Sequence, residues 1–164
     1  MKRIISLLIL VAAVFAANAQ QIEGSLDALR GEDRVNFELN FSNATIHGMT
    51  EAEFAKYEED WYKDMPQIIG DFLGGLNAAN SNFVRFASYP QSRYTLRVNV
   101  IDVAIDGSFD SDVLLLDANS NVVAKIRGLR TSGGVFGTKL YLIKKGAEHS
   151  GKRLGKIIYQ TVYR

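Results

Sequence analysis

The stretch from Tyr94 to Gly134 constrains the fold of this chain more than any other, because it reads as three consecutive antiparallel strands joined by tight turns. Leu96, Val98 and Val100 alternate with Arg97 and Asn99, and then Ile101, Val103 and Ile105 alternate with Asp102 and Ala104. The apolar phase therefore slips by one residue at Val100-Ile101. A β-bulge at that point keeps both halves of the strand on one core, since two residues then oppose one on the partner strand. Asp106-Gly107-Ser108-Phe109 reads as the first turn, and Asp117 to Asn121 as the second hairpin loop. Val113 to Leu116 lies between them as a short buried strand. In the third strand Val122, Ala124 and Ile126 alternate with Val123, Lys125 and Arg127, so Lys125 and Arg127 belong on a solvated face.

The elements on either side complete the layout. Val35, Phe37, Leu39 and Phe41 alternate with Arg34, Asn36, Glu38 and Asn40, the period of a half-buried strand. Thr50-Glu51-Ala52-Glu53 is a capping box, in which the threonine oxygen accepts from the backbone of residue 53 and Glu53 reaches back. The helix it opens carries Phe54, Tyr57, Trp61, Met65, Ile68, Ile69, Phe72, Leu73 and Leu76 at steps of three and four. Pro66 predicts a kink near Asp64 or two abutting helices. Asn77 to Asn82 reads as a linker and Phe83 to Tyr89 as a short strand, placed parallel to Arg34–Phe41 if a right-handed crossover joins neighbours in one sheet. The last element, Thr138 to Gln160, is a helix with Leu140, Ile143, Ala147, Gly151, Leu154 and Ile158 on one face. Its small row, Ala147, Gly151 and Gly155, predicts a close backbone approach to the sheet or the first helix, since each glycine costs about 1 kcal/mol of helix propensity.

The predicted class is α+β: a mixed, mostly antiparallel sheet of about five strands in the order β-α-β-β-β-β-α, with two helices packed on one face. Residues 20–33, polar and acidic, read as an irregular lead-in to a single domain spanning 34–164.

Residues 1–19 have the parts of a secretory signal peptide. Lys2 and Arg3 precede an apolar run from Ile4 to Phe15, and Ala17-Asn18-Ala19 supplies an A-x-A cleavage site. The run is shorter than the roughly 20 residues usual for a membrane span, so no transmembrane segment is expected after cleavage. The chain is thus expected to be exported, to the periplasm or the extracellular space. Lys2 and Arg3 are two of the 19 basic residues, so removal of the leader leaves 17 against 18 acidic residues, a net charge of −1. A near-neutral exported chain carries no field that favours nucleic acid. The sequence has no cysteine, which excludes disulfides, thiol catalysis and zinc–thiolate sites.

Each candidate for chemistry has a plainer reading. Ser132 to Lys139 resembles a phosphate loop in its glycines but has the wrong spacing, and Thr138 precedes Lys139 where that motif needs lysine first. Asp117 to Asn121 matches the first five positions of a calcium loop, yet Val122 and Gly128 stand where glycine and glutamate are required. Asp106, Asp110 and Asp112 are read as exposed turn acids. His47 and His149 belong to no metal spacing, and no G-x-S-x-G elbow is present. No catalytic residue, metal or cofactor is therefore assigned, and the chain is not expected to be an enzyme. Two surfaces are singled out for ligand or partner contact. Trp61 and Tyr62 belong to an aromatic cluster that reads either as core with Tyr62 at its rim or as a ligand-facing patch. Lys144, Lys145, Lys152 and Arg153, with Lys156 and Glu148, fill the polar side of the last helix, whose basic face is either solvated or meets an anionic partner or lipid head groups.

With Tyr94-Thr-Leu-Arg-Val, the hairpin Leu116-Asp-Ala-Asn-Ser-Asn-Val-Val and the closing Gly151-Lys-Arg-Leu-Gly155, this order of elements resembles small periplasmic α/β domains of the TolB N-terminal, CsgG and LpoB type. The resemblance spans roughly residues 34 to 160 and is one of layout. It implies a non-catalytic module of the bacterial cell envelope that works through contacts with an envelope protein, using an exposed sheet face or edge. The alternative is a small-ligand-binding protein with a pocket between the first helix and the sheet, near Trp61 and Tyr62.

Overall fold

The structure, a computed structural model, describes residues 20–164. The expected signal peptide lies outside the described residues. Within them the chain forms eight strands and three α-helices, which corrects the expectation of about five strands and two helices. In chain order these are β1 (Gln21–Gly24), a 3-10 turn (Leu26–Leu29), β2 (Arg34–Asn40), β3 (Thr45–Ile46) and β4 (Met49–Thr50). Helices α1 (Glu51–Tyr57) and α2 (Trp61–Ala79) follow, then β5 (Arg85–Ala87), β6 (Tyr94–Val103), β7 (Phe109–Asp117), β8 (Val122–Thr131) and α3 (Lys139–Val162). The sheet order is β1-β8-β7-β6-β2-β5. Strands β2 and β5 are parallel neighbours, as the crossover predicts, and β6-β7-β8 form the antiparallel meander.

The added strands share one physical origin: short segments bound through backbone hydrogen bonds, with no apolar periodicity to betray them. Strand β1 is exposed at all four positions and pairs antiparallel with β8, so residues 20–33 are not an irregular lead-in. Beside it, Leu26 and Leu29 of the 3-10 turn are buried in the core. Strand β2 runs along β6 from residue 95 to 99, and β3 then takes over the same edge at Asp102 and Val103. The β3–β4 hairpin turns on His47 and Gly48, at φ 52° and 79°, the left-handed pair that a two-residue hairpin loop requires.

The bulge in β6 lies where the apolar phase slips. Register shifts between Val100 and Asp102, so that Leu96, Val98 and Val100 are buried before it and Val103 after it. Ile101 is the extra residue and is expelled to the surface, as is Ile105 beyond the strand. A second shift lies across the sheet, where Ser111 and Val113 of β7 face Leu129 and Ile126 of β8. Gly128 sits in that bulge at φ 66° and donates its N–H to Asp112 Oδ1 at 3.1 Å. A glycine inside an alternating strand is the sequence mark of such a bulge.

The capping box forms as read, with Thr50 N donating to Glu53 Oε2 at 2.9 Å and Glu53 N to Thr50 Oγ1 at 3.3 Å. Of the two expected outcomes at the first helix, abutting helices are the one observed, but they meet at Glu58 to Asp60 and Pro66 stays inside α2. The break has a packing reason. In a continuous helix Phe54 and Trp61 stand seven residues, about 10 Å, apart along the axis. The bend brings their rings to 5.2 Å, edge to face, with Phe41 equally edge-on to the indole at 5.3 Å. Asn77, read as linker, is helical instead. Its side chain clamps the edge strand, donating to the Phe86 carbonyl and accepting from the Phe86 N–H, both at 2.9 Å.

Helices α2 and α3 pack tightly against each other. A Cβ on Gly151 would overlap the Phe72 carbonyl oxygen, and one on Gly155 would lie 2.5 Å from that of Leu76. Gly75 stands equally close to the Glu148 carbonyl, so the small row works from both sides of the seam.

Candidate functional site

The side of the sheet away from the buried core is polar and internally paired. Glu38 meets Arg97 at 2.6 Å, Asp112 meets Lys125 at 3.1 Å, Glu23 meets Arg127 at 2.7 Å and Asp110 meets Arg130 at 2.9 Å. Cross-strand pairs of this kind contribute a few tenths to about 1 kcal/mol each and leave no charge seeking a partner. Asp112 and Oδ2 of Asp110 are thereby engaged, while Asp110 Oδ1 is buried without a partner among the described residues, and Asp106 accepts from Ser108 N at 2.9 Å within its own turn. Among the described residues no group of three or more histidine or acidic side chains is placed to hold a metal ion.

The residues singled out from sequence are distributed as follows. Trp61 is fully buried and donates its indole N–H to Glu51 Oε1 at 3.2 Å, while Tyr62 is exposed. The indole belongs to the core, edge-on to Phe41 and Phe54. Lys144 is clasped by Asp64 and Gln67 of α2, each at 2.8 Å. Lys145 and Lys152 both bind Glu148, at 2.9 and 2.5 Å, and these two hydrogen bonds hold its carboxyl down to about 2. Arg153 reaches the other way and donates to the Arg130 carbonyl at 2.6 Å. The basic side of the last helix is thus largely consumed by the fold itself.

The glycine-rich loop is likewise engaged. Gly134 donates to the Asp106 carbonyl at 2.9 Å and Gly133 to Ser108 Oγ at 3.1 Å. Thr138 caps α3 by accepting from Tyr141 N at 3.3 Å, and Lys139 Nζ lies 2.8 Å from the Tyr57 hydroxyl. Two of the loop amides and the lysine are thus turned to partners within the chain.

What these contacts build is an open groove of about 760 Å³ at one end of the sheet. One wall is the β3–β4 turn, His47 and Gly48; the floor is Asp102 to Ile105; the other wall is Gly134, Val135 and Leu142 of α3. Gly107, at φ 80°, makes the junction possible, because a Cβ there would collide with the backbone of Leu142. Two large apolar side chains that line it are open to solvent: Ile105 is 73% exposed and Val135 84%, and Phe136, next in the chain, is 86% exposed. His47 packs edge-on to Phe54 at 5.1 Å, with its Nε2 buried and unpartnered among the described residues. Burial first, and then the Lys139 ammonium, holds its imidazole below the ordinary value, against the opposing pull of Asp102.

Sequence reasoning did not select Ile105, Val135, Phe136 or His47 as a site. A sign of it was present, since Val135-Phe136 stands between Gly134 and Gly137 in a loop with no apolar period to justify burial. Ile105 was assigned to the core because the period extends through it, whereas the strand ends at Val103.

No family model matches the chain, and no curated protein does. Among solved structures it is similar to the PelC dodecamer from Paraburkholderia phytofirmans, with 15% identity over 89% of this chain and 99% of that one, at a TM-score of 0.49. A point variant of the same dodecamer gives 17% identity over 89% and 98%, at 0.47. These values describe a shared outline and carry no property across. No helix among the described residues is long and apolar enough to cross a membrane.

Proposed function

We propose that this chain is an exported, non-catalytic interaction module of the bacterial cell envelope, and that it engages a protein partner through the groove end of its sheet. The observation that carries this reading is the exposure of Ile105 and Val135 on the lining of an open groove, with the exposed Phe136 next in the chain, on a molecule whose polar sheet face is largely ion-paired. Apolar side chains this exposed have no packing role in the isolated chain, and a contiguous patch of them marks an interaction surface. Export rests on the leader-like residues 1–19. The absence of a catalytic constellation in the sequence reading supports a role in contact rather than chemistry.

A photo-crosslinking side chain placed at Val135 in the full-length protein, expressed in its own cells, tests the proposal. A discrete polypeptide adduct from the envelope fraction is expected, lost when Ile105 is changed to serine. Equal crosslinking from Arg97, on the paired polar face, would remove the groove from consideration. Recovery of the protein in the cytoplasm with residues 1–19 still attached would remove the exported role.

A further inference from the structure

We propose that the groove takes an apolar polypeptide segment flanked by lysine or arginine. The inference rests on the groove being the contact surface and adds the chemistry of what it contacts. Two carboxylates, Asp102 and Asp106, line the groove, and no lysine or arginine does. Neither has a cationic partner among the described residues, whereas all four ion-paired carboxylates of the polar sheet face meet an arginine or lysine. Lys139, whose charge acts on His47, is turned onto the Tyr57 ring, 3.9 Å from its centroid. Hydrogen bonding from Ser108, first through its hydroxyl and then through its N–H, holds the Asp106 carboxyl below its ordinary value, so it is charged at neutral pH.

Between these carboxylates the surface is apolar, from Val103, Ala104 and Ile105 on the floor to Val135 and Leu142 on the wall. The complement of such a surface is an apolar core with positive ends. Charge also argues against two other occupants. An anionic lipid surface would meet Asp102 and Asp106 head-on. A second copy docked groove to groove about a two-fold axis would set the same carboxylates against each other, because such an interface uses one patch twice.

Fluorescence anisotropy of the chain with two labelled synthetic peptides tests this. They share one leucine-alanine core, flanked by lysines in one and by glutamates in the other. The lysine-flanked peptide is expected to bind about five- to tenfold tighter, as two exposed ion pairs allow, with the advantage shrinking as salt rises. In the double variant Asp102→Asn, Asp106→Asn the two peptides should bind alike, asparagine at 106 still accepting from Ser108 N. Ile105→Ser with Val135→Ser should weaken both peptides. Equal binding of both peptides to the wild type, or a preference that survives the asparagine variant, overturns the charge inference while leaving the groove as a contact surface. Binding of neither peptide overturns it too, and the crosslinking from Val135 then decides separately whether the groove is a contact surface at all.

Discussion

Two glycine-rich regions of this molecule do opposite things. At the α2–α3 seam, Gly75, Gly151 and Gly155 remove side chains so that two helix backbones touch, and the residues around them are buried. In the loop before α3, Gly133 and Gly134 let the chain press against the Asp106 turn, and the same close approach pushes Val135 and Phe136 into solvent. Close packing of backbone is common to both. The difference is whether the neighbouring side chains have a second layer to enter, which the helices provide at the seam and nothing among the described residues provides at the groove.

Substitution at the seam should have the largest effect. Gly151→Leu is expected to destabilise by about 3 kcal/mol, since its Cβ would overlap the Phe72 carbonyl and neither helix can retreat without opening the core. Denaturant unfolding measures it, and a wild-type midpoint would show that the helices are free to separate. Thr138→Ala lies between the two regions and removes the cap of α3, for a loss of about 1 kcal/mol.

Two pH effects are smaller. The folded-state value of Glu148, about 2, lies below the ordinary 4.5, so its stabilising contribution is complete above the ordinary value and is lost as pH falls toward 2. Thermal melts of Glu148→Gln across that window should show a shallower acid decline than wild type. His47 is also lowered, from 6.5, but it is a base held neutral, so the unfolded chain takes up its proton first and stability falls as pH drops below about 6.5. His47→Asn, which tolerates the left-handed turn, should abolish that fall. Smallest of all, Phe136→Ser should change stability by less than about 0.5 kcal/mol. A larger loss would mean that the exposed ring is packing after all, and the contrast between the two regions would collapse.

The same contrast separates what was legible in the sequence from what was not. Strand β2, the capping box, the bulge at Val100-Ile101 and the small row of α3 each rest on local periodicity or local hydrogen bonding, and each stands where the residues indicated. Strand β1 was hidden because an exposed edge strand needs only its backbone to pair, and Gln21 to Gly24 carry no alternation. Trp61 was ambiguous for another reason, since the helical stripe that put it on the apolar face could not say that the bend at Glu58–Asp60 would close Phe41 and Phe54 over it. Lys144 looked free because its partners, Asp64 and Gln67, lie on a different helix, whereas the pairing of Lys145 and Lys152 with Glu148 follows from their three- and four-residue spacing on one helix face.

By itself, then, the sequence determined the elements whose formation is a local matter: alternating strands, the capped first helix, the bulged meander and the glycine-faced last helix. Tertiary structure alone decided which apolar side chains find a second layer. Ile101 and Ile105 are as apolar as Val100 or Leu129 and continue the same alternation, yet they are exposed. Burial is a property of what lies opposite, and for these residues the chain supplies no opposite surface among its described residues.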